Sequence, residues 1–252
     1  MTSVDSTSSE LKKEKTTSSP SEPQKNQGIL IRLWGWIDDR LQMSGLMGYE
    51  YPVPEYTRRY IYCLGGITLL CFIILGVTGY ILALYYHPST EVVDEVSQKS
   101  LAYASVEYIM EDVYFGEFIR SLHRWTASAM LVACILHMMR VYFTGAYKPP
   151  REFNWIVGVL LLSLTLAFGF TGYLLPWDND AIQGTNIGTS FMGYIPIIGP
   201  FLKEFMRGGP GVSAETLLRF YVLHIAILPI GMTVLMLYHF YLVKRHGIAD
   251  PL

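Results

Sequence analysis

The sequence predicts an all-α membrane protein. It should have four transmembrane helices in one bundle, an N-terminal amphipathic surface helix, and short surface helices between spans three and four. Three observations carry this expectation. Apolar residues make up 51% of the 252-residue chain, and the mean hydropathy is +0.30, which is not the composition of a soluble domain around one core. Three runs of 24 to 26 residues contain no Asp, Glu, Lys or Arg, each longer than the roughly 20 residues a helix needs to cross hydrocarbon. A fourth apolar stretch, 125–139, is closed by Arg124 and Arg140.

Residues 1–28 hold seven Ser, four Thr and two Pro, with mixed charges and no apolar run. They read as a disordered tail, neither signal peptide nor span. The membrane domain is then 29–252. Its first segment, 29–43 (ILIRLWGWIDDRLQM), alternates apolar and charged positions near helical period. That pattern fits an amphipathic helix lying at the cytoplasmic interface, with a helix docked on a partner as the alternative.

Span one is expected at about 60–86, from the uncharged run 61–86. Span two, at about 117–143, is long enough only if its arginines sit near its ends or against something anionic. Spans three and four follow at about 153–175 and 217–243, from the uncharged runs 153–177 and 220–243. Residues 181–202 are also uncharged, yet they contain Gly184, Gly188, Gly193, Pro196, Gly199 and Pro200. So many breakers argue for short surface helices or turns, not a fifth span.

Four spans put both ends of the domain on one side, and basic residues choose the side. Arg32, Arg40, Arg58 and Arg59 precede span one; Arg140, Lys148 and Arg151 separate spans two and three; Lys244 and Arg245 follow span four. The segment after span one is acidic: Glu91, Asp94, Glu95, Glu107, Glu111, Asp112 and Glu117 against Lys99 and Arg120. The termini and second loop are therefore expected on the cytoplasmic, or equivalent, side. Lys203 and Arg207 in the last outer loop run slightly against this rule. The net charge of −2 gives no sign of nucleic-acid binding.

Four histidines lie inside spans: His123 and His137 in span two, His224 and His239 in span four. Ionisable side chains in lipid are costly and mark function. The spacings are 14 and 15 residues. Fourteen residues rise about 21 Å and turn about 40° off register, so both rings point into one groove. Fifteen give about 60° on an ideal helix, an offset that a kink at Pro229 can absorb. Spans two and four run in the same direction. The topology therefore pairs His123 with His224 near the outer end and His137 with His239 near the inner end. Two pairs of neutral imidazoles at these heights read as axial ligands of two stacked haems, and a site with no open position suits electron transfer. No residue is assigned as catalytic.

Glycines repeat the interval: Gly65 and Gly79 in span one, Gly158 and Gly172 in span three, each pair 14 apart. They would clear room for porphyrin edges against helix backbone; small-residue helix packing is the other reading. Arg120, Arg124 and Arg140 flank the histidines and could pair with haem propionates, although Arg140 equally suits a topology anchor. The three cysteines, Cys63, Cys71 and Cys134, all lie in apolar runs, and there is no Cys-x-x-Cys-His.

RSLHRWTASAMLVACILHMMRVYFTGAYKPPREFNW, GFTGYLLPWD and RFYVLHIAILPIGMTVLMLYHF resemble the haem-binding core of cytochrome b proteins, and of the short b6-type subunit in particular. The chain stops after four spans and lacks the Pro-Glu-Trp-Tyr element of the other half. Its fourth-span histidines are 15 apart, and YCLGGIT at 62–68 resembles the b6-type attachment site for an extra haem. The likeness covers about 29–252. It implies two b haems, with a third bound through one thioether at Cys63 on the inner face. The implied role is in a proton-translocating quinol oxidoreductase, which passes electrons between an outer quinol-oxidation site and an inner quinone-reduction site. Implied partners are a subunit IV-like C-terminal half of cytochrome b, a Rieske iron–sulfur protein and a c-type cytochrome, in a dimeric complex of a bacterial cytoplasmic membrane. Lys244 and Arg245 either touch an inner propionate or quinone, or anchor the topology. Cys71 and Cys134 match no attachment role, and His87 and His246 read as interfacial. NDAIQGTNIGTSF at 179–191 departs from the family pattern where it should help line the outer quinol pocket.

Two other readings stay open. One is the dihaem membrane subunit of another quinone-linked enzyme, such as a formate dehydrogenase or hydrogenase, which has no use for YCLGGIT. The other is a haem-free scaffold, whose intramembrane histidines would need polar partners; the sequence points to none in spans one and three.

Overall fold

A computed structural model describes residues 33, 35, 36, 62–94, 96 and 98–249. The tail and the first four arginines lie outside these residues. Of the amphipathic segment, only Leu33, Gly35 and Trp36 are described. All three are helical and exposed, and the Trp36 ring meets Phe153 edge-on at 5.6 Å.

The protein is an all-α bundle with four helices long and apolar enough to cross a membrane. Helix α1 (Leu64–Ala83) is followed by a small antiparallel pair, β1 (Val92–Asp94) and β2 (Lys99–Ser100), and by α2 (Leu101–Glu111). Next come α3 (Gly116–Phe143), α4 (Glu152–Leu174), α5 (Asn179–Met192), α6 (Gly199–Arg207) and α7 (Ala214–Val222). A π-helical turn, Leu223–Ile227, joins α7 to α8 (Leu228–His246), making one 33-residue stretch. The spans are α1, α3, α4 and the α7–α8 stretch. At 1.5 Å per residue, the 20 residues of α1 cover about 30 Å, one hydrocarbon thickness. Their outward surfaces are apolar, with Leu70, Val77, Ile230, Val234 and Leu237 exposed, as lipid contact requires. Tyr142, Tyr147 and Trp155 cluster where α3 turns into α4, an aromatic group of the kind found at a membrane–water boundary.

Helix α1 packs on α3 and α4 on α8; α3–α4 contacts join the two pairs. The bundle centre is filled by Cys71, Met130 and Met232, with Phe72, Leu75, Cys134, Leu161, Leu164 and Phe168 around them. The remaining helices cap one end. Asp178 caps α5 by accepting from the Ala181 backbone N–H at 2.7 Å. Tyr86 Oη donates to the Leu175 carbonyl at 2.6 Å, tying the end of span one to the end of α4.

Residues 181–202 do not form a span. Gly193 caps the end of α5 and Gly199 and Pro200 open α6, but not every breaker stops a helix. Gly184 and Gly188 lie within α5, and a side chain at Gly188 would overlap the Phe170 ring of α4. The glycine is a notch for a ring rather than a turn. Arg207 is not a loose outer charge either. It is 5% exposed and donates to Thr189 Oγ1 (2.7 Å), the Asn186 carbonyl (2.9 Å) and side chain (2.7 Å), Ser190 Oγ (3.0 Å) and the Pro210 carbonyl (3.3 Å). Five neutral acceptors satisfy its guanidinium and lock α6 onto α5.

Candidate functional site

Helix α3 carries His123 and His137, and the α7–α8 stretch, which runs in the same sense through the bundle, carries His224 in its π turn and His239 in α8. His123 and His224 face each other at one height, with ring centres 6.5 Å apart; His137 and His239 do so at the other, at 6.4 Å. The level of His123 and His224 is the one the sequence leads one to expect on the outer side, and that of His137 and His239 the one expected on the inner side. An iron bonded to one nitrogen of each ring at about 2 Å, as in other metal–imidazole bonds, would hold the ring centres about 6 Å apart. The pairs thus stand at the separation a shared axial metal needs.

The 15-residue interval in span four is absorbed differently from the expectation. The Leu228 N–H bonds to the Leu223 carbonyl, closing a π turn that contains His224. Such a turn takes up one more residue than an α turn and is frequent at functional sites. Pro229, just beyond it, has no N–H to return to Ile225. The extra residue sits in the backbone turn, and the proline lets that turn persist.

Each glycine lies beside a histidine of the neighbouring helix. A Cβ at Gly79 would come 3.1 Å from His123 Cε1, and one at Gly65 would come 3.3 Å from His137 Cε1. On the other helix pair, the distances are 2.7 Å from Gly172 to His224 Cε1 and 3.9 Å from Gly158 to His239 Cε1. The room expected for porphyrin edges is, at Gly172 and Gly79, needed first by the imidazoles.

Sequence reasoning found no polar partner for these rings in spans one and three. The structure corrects that. His123 Nδ1 is 2.9 Å from Thr78 Oγ1, and His224 Nδ1 is 2.9 Å from Thr171 Oγ1. Both threonines are buried. Each precedes one of the glycines, in the matching tetrapeptides VTGY (77–80) and FTGY (170–173). That repeat was the available signal. Thr78 Oγ1 also donates to the Ile74 carbonyl at 2.7 Å, and Thr171 Oγ1 to the Ala167 carbonyl at 2.8 Å. Each hydroxyl has one proton, and two oxygens this close need it between them. The hydroxyl therefore accepts from the ring, Nδ1 carries the ring proton, and the Nε2 lone pair is left free to bind a metal. The inner pair is built differently: His239 Nδ1 is buried with no side-chain partner among the described residues, and the Asn154 backbone is the polar group the ring meets.

The other candidates sit around the two pairs. Arg120, three residues before His123 on α3, has its Nη1 3.4 Å from Met110 Sδ. Arg124 is one residue beyond His123 on α3. The Arg140 guanidinium stacks on the Tyr62 ring at 4.0 Å, which brings the inner end of α3 against the start of α1. Cys63 is the exposed residue capping α1, two positions before Gly65, whereas Cys71 is buried in the bundle centre. Lys244 and Arg245 occupy the last turn of α8. His87 Nδ1 is 3.1 Å from the Tyr85 carbonyl, and the His246 carbonyl accepts from Arg151; neither residue joins a pair.

The family model for "Cytochrome b/b6/petB" matches residues 49–247. The cytochrome b6 of Heliobacterium modesticaldum is 45% identical over 220 residues, covering 86% of this chain and 99% of that protein. The cytochrome b6 of Gloeobacter violaceus is 42% identical over 230 residues, covering 88% and 100%. A solved structure, "Hyperthermophilic respiratory Complex III", aligns with a TM-score of 0.69 at 30% identity over 86% of this chain. The alignment spans 56% of that longer chain.

Proposed function

Since the chain belongs to the cytochrome b/b6 family, we propose that it is the electron-carrying membrane subunit of a bc/b6f-type quinol oxidoreductase. Electrons pass across the membrane between an outer quinol-oxidation site and an inner quinone-reduction site, coupled to proton translocation. The observation that carries this is the pair of facing imidazoles at each end of the bundle, 6.5 and 6.4 Å between centres. His123 and His224 would hold the outer b haem, and His137 and His239 the inner one. Bis-histidine haem supplies reversible one-electron chemistry with no open coordination position.

The chain's own residues do the rest. Thr78 and Thr171 fix the outer rings, Gly79 and Gly172 let those rings approach the neighbouring helices, and the apolar centre keeps the two levels apart. Arg120, Arg124 and Arg140 are the candidate propionate partners, with Lys244 and Arg245 at the inner face. Cys63, exposed at the end of α1 on the level of Gly65 and His137, is proposed to bind a third haem covalently. The partners are proposed to be a subunit IV-like protein, a Rieske protein and a c-type cytochrome. The complex is dimeric and set in a bacterial cytoplasmic membrane with its termini inside.

A reduced-minus-oxidised spectrum of the purified complex should show two b-type components. His224→Ala should remove the outer one and His239→Ala the inner. A complex without b-type bands would refute the haem reading, and loss of the inner component alone in His224→Ala would refute the pairing. Haem should stay on the denatured chain in gels and disappear in Cys63→Ala; staining that persists there would remove Cys63 from the site.

A further inference from the structure

We propose that Thr78 and Thr171 are positioning residues that set the outer histidine pair apart electronically from the inner one. Each fixes its ring's tautomer and facing, and together they lower the midpoint potential of the outer site. The inference rests on the haem reading above.

The outer rings are held symmetrically. One threonine from span one and one from span three each lie 2.9 Å from an Nδ1, and each spends its own proton on a carbonyl of its helix. A ring whose Nδ1–H is donated away becomes a stronger electron donor through Nε2, because the hydrogen bond shifts density toward the metal side. A stronger donor favours the oxidised metal, which moves the potential down.

Among the described residues no side chain is seen accepting from an inner ring. The positions before Gly65 and Gly158, one repeat interval back, are Leu64 and Val157, neither of which can accept a hydrogen bond. His239 Nδ1 has no side-chain partner among the described residues, and the polar group its ring meets is the Asn154 backbone. The chain therefore builds two similar pairs from the same glycine–histidine repeat and anchors only the outer one through side chains. Leu and Val would fill the same space as Thr on the outer level. The choice of a hydroxyl in both outer positions, each with its acceptor face toward a ring, points to the ring nitrogen as its object.

The test is a potentiometric titration of the b-type bands in the assembled complex carrying Thr78→Val, Thr171→Val or both. Valine keeps the shape and removes the acceptor. The outer midpoint should rise in each single variant and rise further in the double, while the inner midpoint stays put. Thr78→Ser and Thr171→Ser keep the hydroxyl and should restore the parental value. An outer midpoint that does not move, or one that moves together with the inner, overturns the proposal. Where a valine variant assembles without outer haem, the serine variant decides: haem retained with serine supports the hydroxyl's role, and haem lost with serine reduces it to packing. Wild-type protein lacking b bands would instead refute the haem reading itself, so the two failures are distinguishable.

Discussion

Gly172→Ala is the sharpest single perturbation of the outer pair. A Cβ there would lie 2.7 Å from His224 Cε1, with Nε2 at 3.3 Å and Nδ1 at 3.4 Å. An ordinary carbon–carbon contact needs about 3.5 Å or more, so the ring would have to retreat by close to 1 Å. It cannot do so freely, because Thr171, the residue before the glycine, holds its Nδ1 at 2.9 Å. Overpacking of this kind costs about 1–3 kcal/mol, equivalent to about 5- to 150-fold weaker retention of a group held by that ring. Gly158→Ala is the matched control. Its Cβ would meet His239 Cε1 at 3.9 Å, an ordinary contact, and alanine adds up to about 1 kcal/mol of helix propensity. Haem per polypeptide, by pyridine haemochrome, and the two b components, by low-temperature difference spectra, give the readout. Gly172→Ala should lose or shift the outer component, Gly79→Ala should do so less, and Gly158→Ala should be near wild type. If all three glycine variants are equally damaging, the glycines serve the porphyrin edges, and the argument from the imidazoles fails.

Val157→Thr, nearly isosteric and one residue before Gly158, should place an acceptor near His239 Nδ1 and lower the inner midpoint; redox titration checks it. Arg207→Leu would strand the acceptors on α5 and remove five hydrogen bonds, a loss of about 3 kcal/mol or more. It should appear as a lower Tm of the solubilised complex and faster proteolysis within 179–213. Tyr86→Phe removes one 2.6 Å bond and should cost about 1 kcal/mol, a small fall in Tm with both b components intact. In haem-free protein a maleimide should modify the exposed Cys63 well before the buried Cys71, as read by mass spectrometry; equal rates would contradict the packing of the bundle centre.

The spans were legible because hydrocarbon thickness imposes a length and a composition that few other segments satisfy. The histidine pairs were legible because their spacing translates directly into height and facing on a helix. What escaped was whatever depends on neighbours in space. Pro229 announces an irregular helix, but only the backbone reveals that the irregularity is a π turn at His224. Gly188 reads as a breaker until the Phe170 ring is seen filling the place of its side chain. Arg207 reads as a surface charge, because nothing nearby in sequence shows that Thr189, Asn186 and Ser190 converge on it. Thr78 and Thr171 were hidden for a different reason. A threonine in an apolar helix usually satisfies itself on its own carbonyls, and these do; the second bond, to the ring, leaves a trace only in the repeated TGY.

The packing at the bundle centre has a consequence for what can cross it. Met130 stands seven residues from both His123 and His137, so about 10 Å of helix rise separates it from either level. Around it, Cys71, Met232, Phe72, Leu75, Leu161, Leu164 and Phe168 close the section, and Thr165 turns its proton back to the Leu161 carbonyl. Intramembrane proton relays are built from chains of carboxylates and imidazoles, and this middle layer has neither among its described residues. In the proposed role, such a layer would keep protons from following electrons between the two levels.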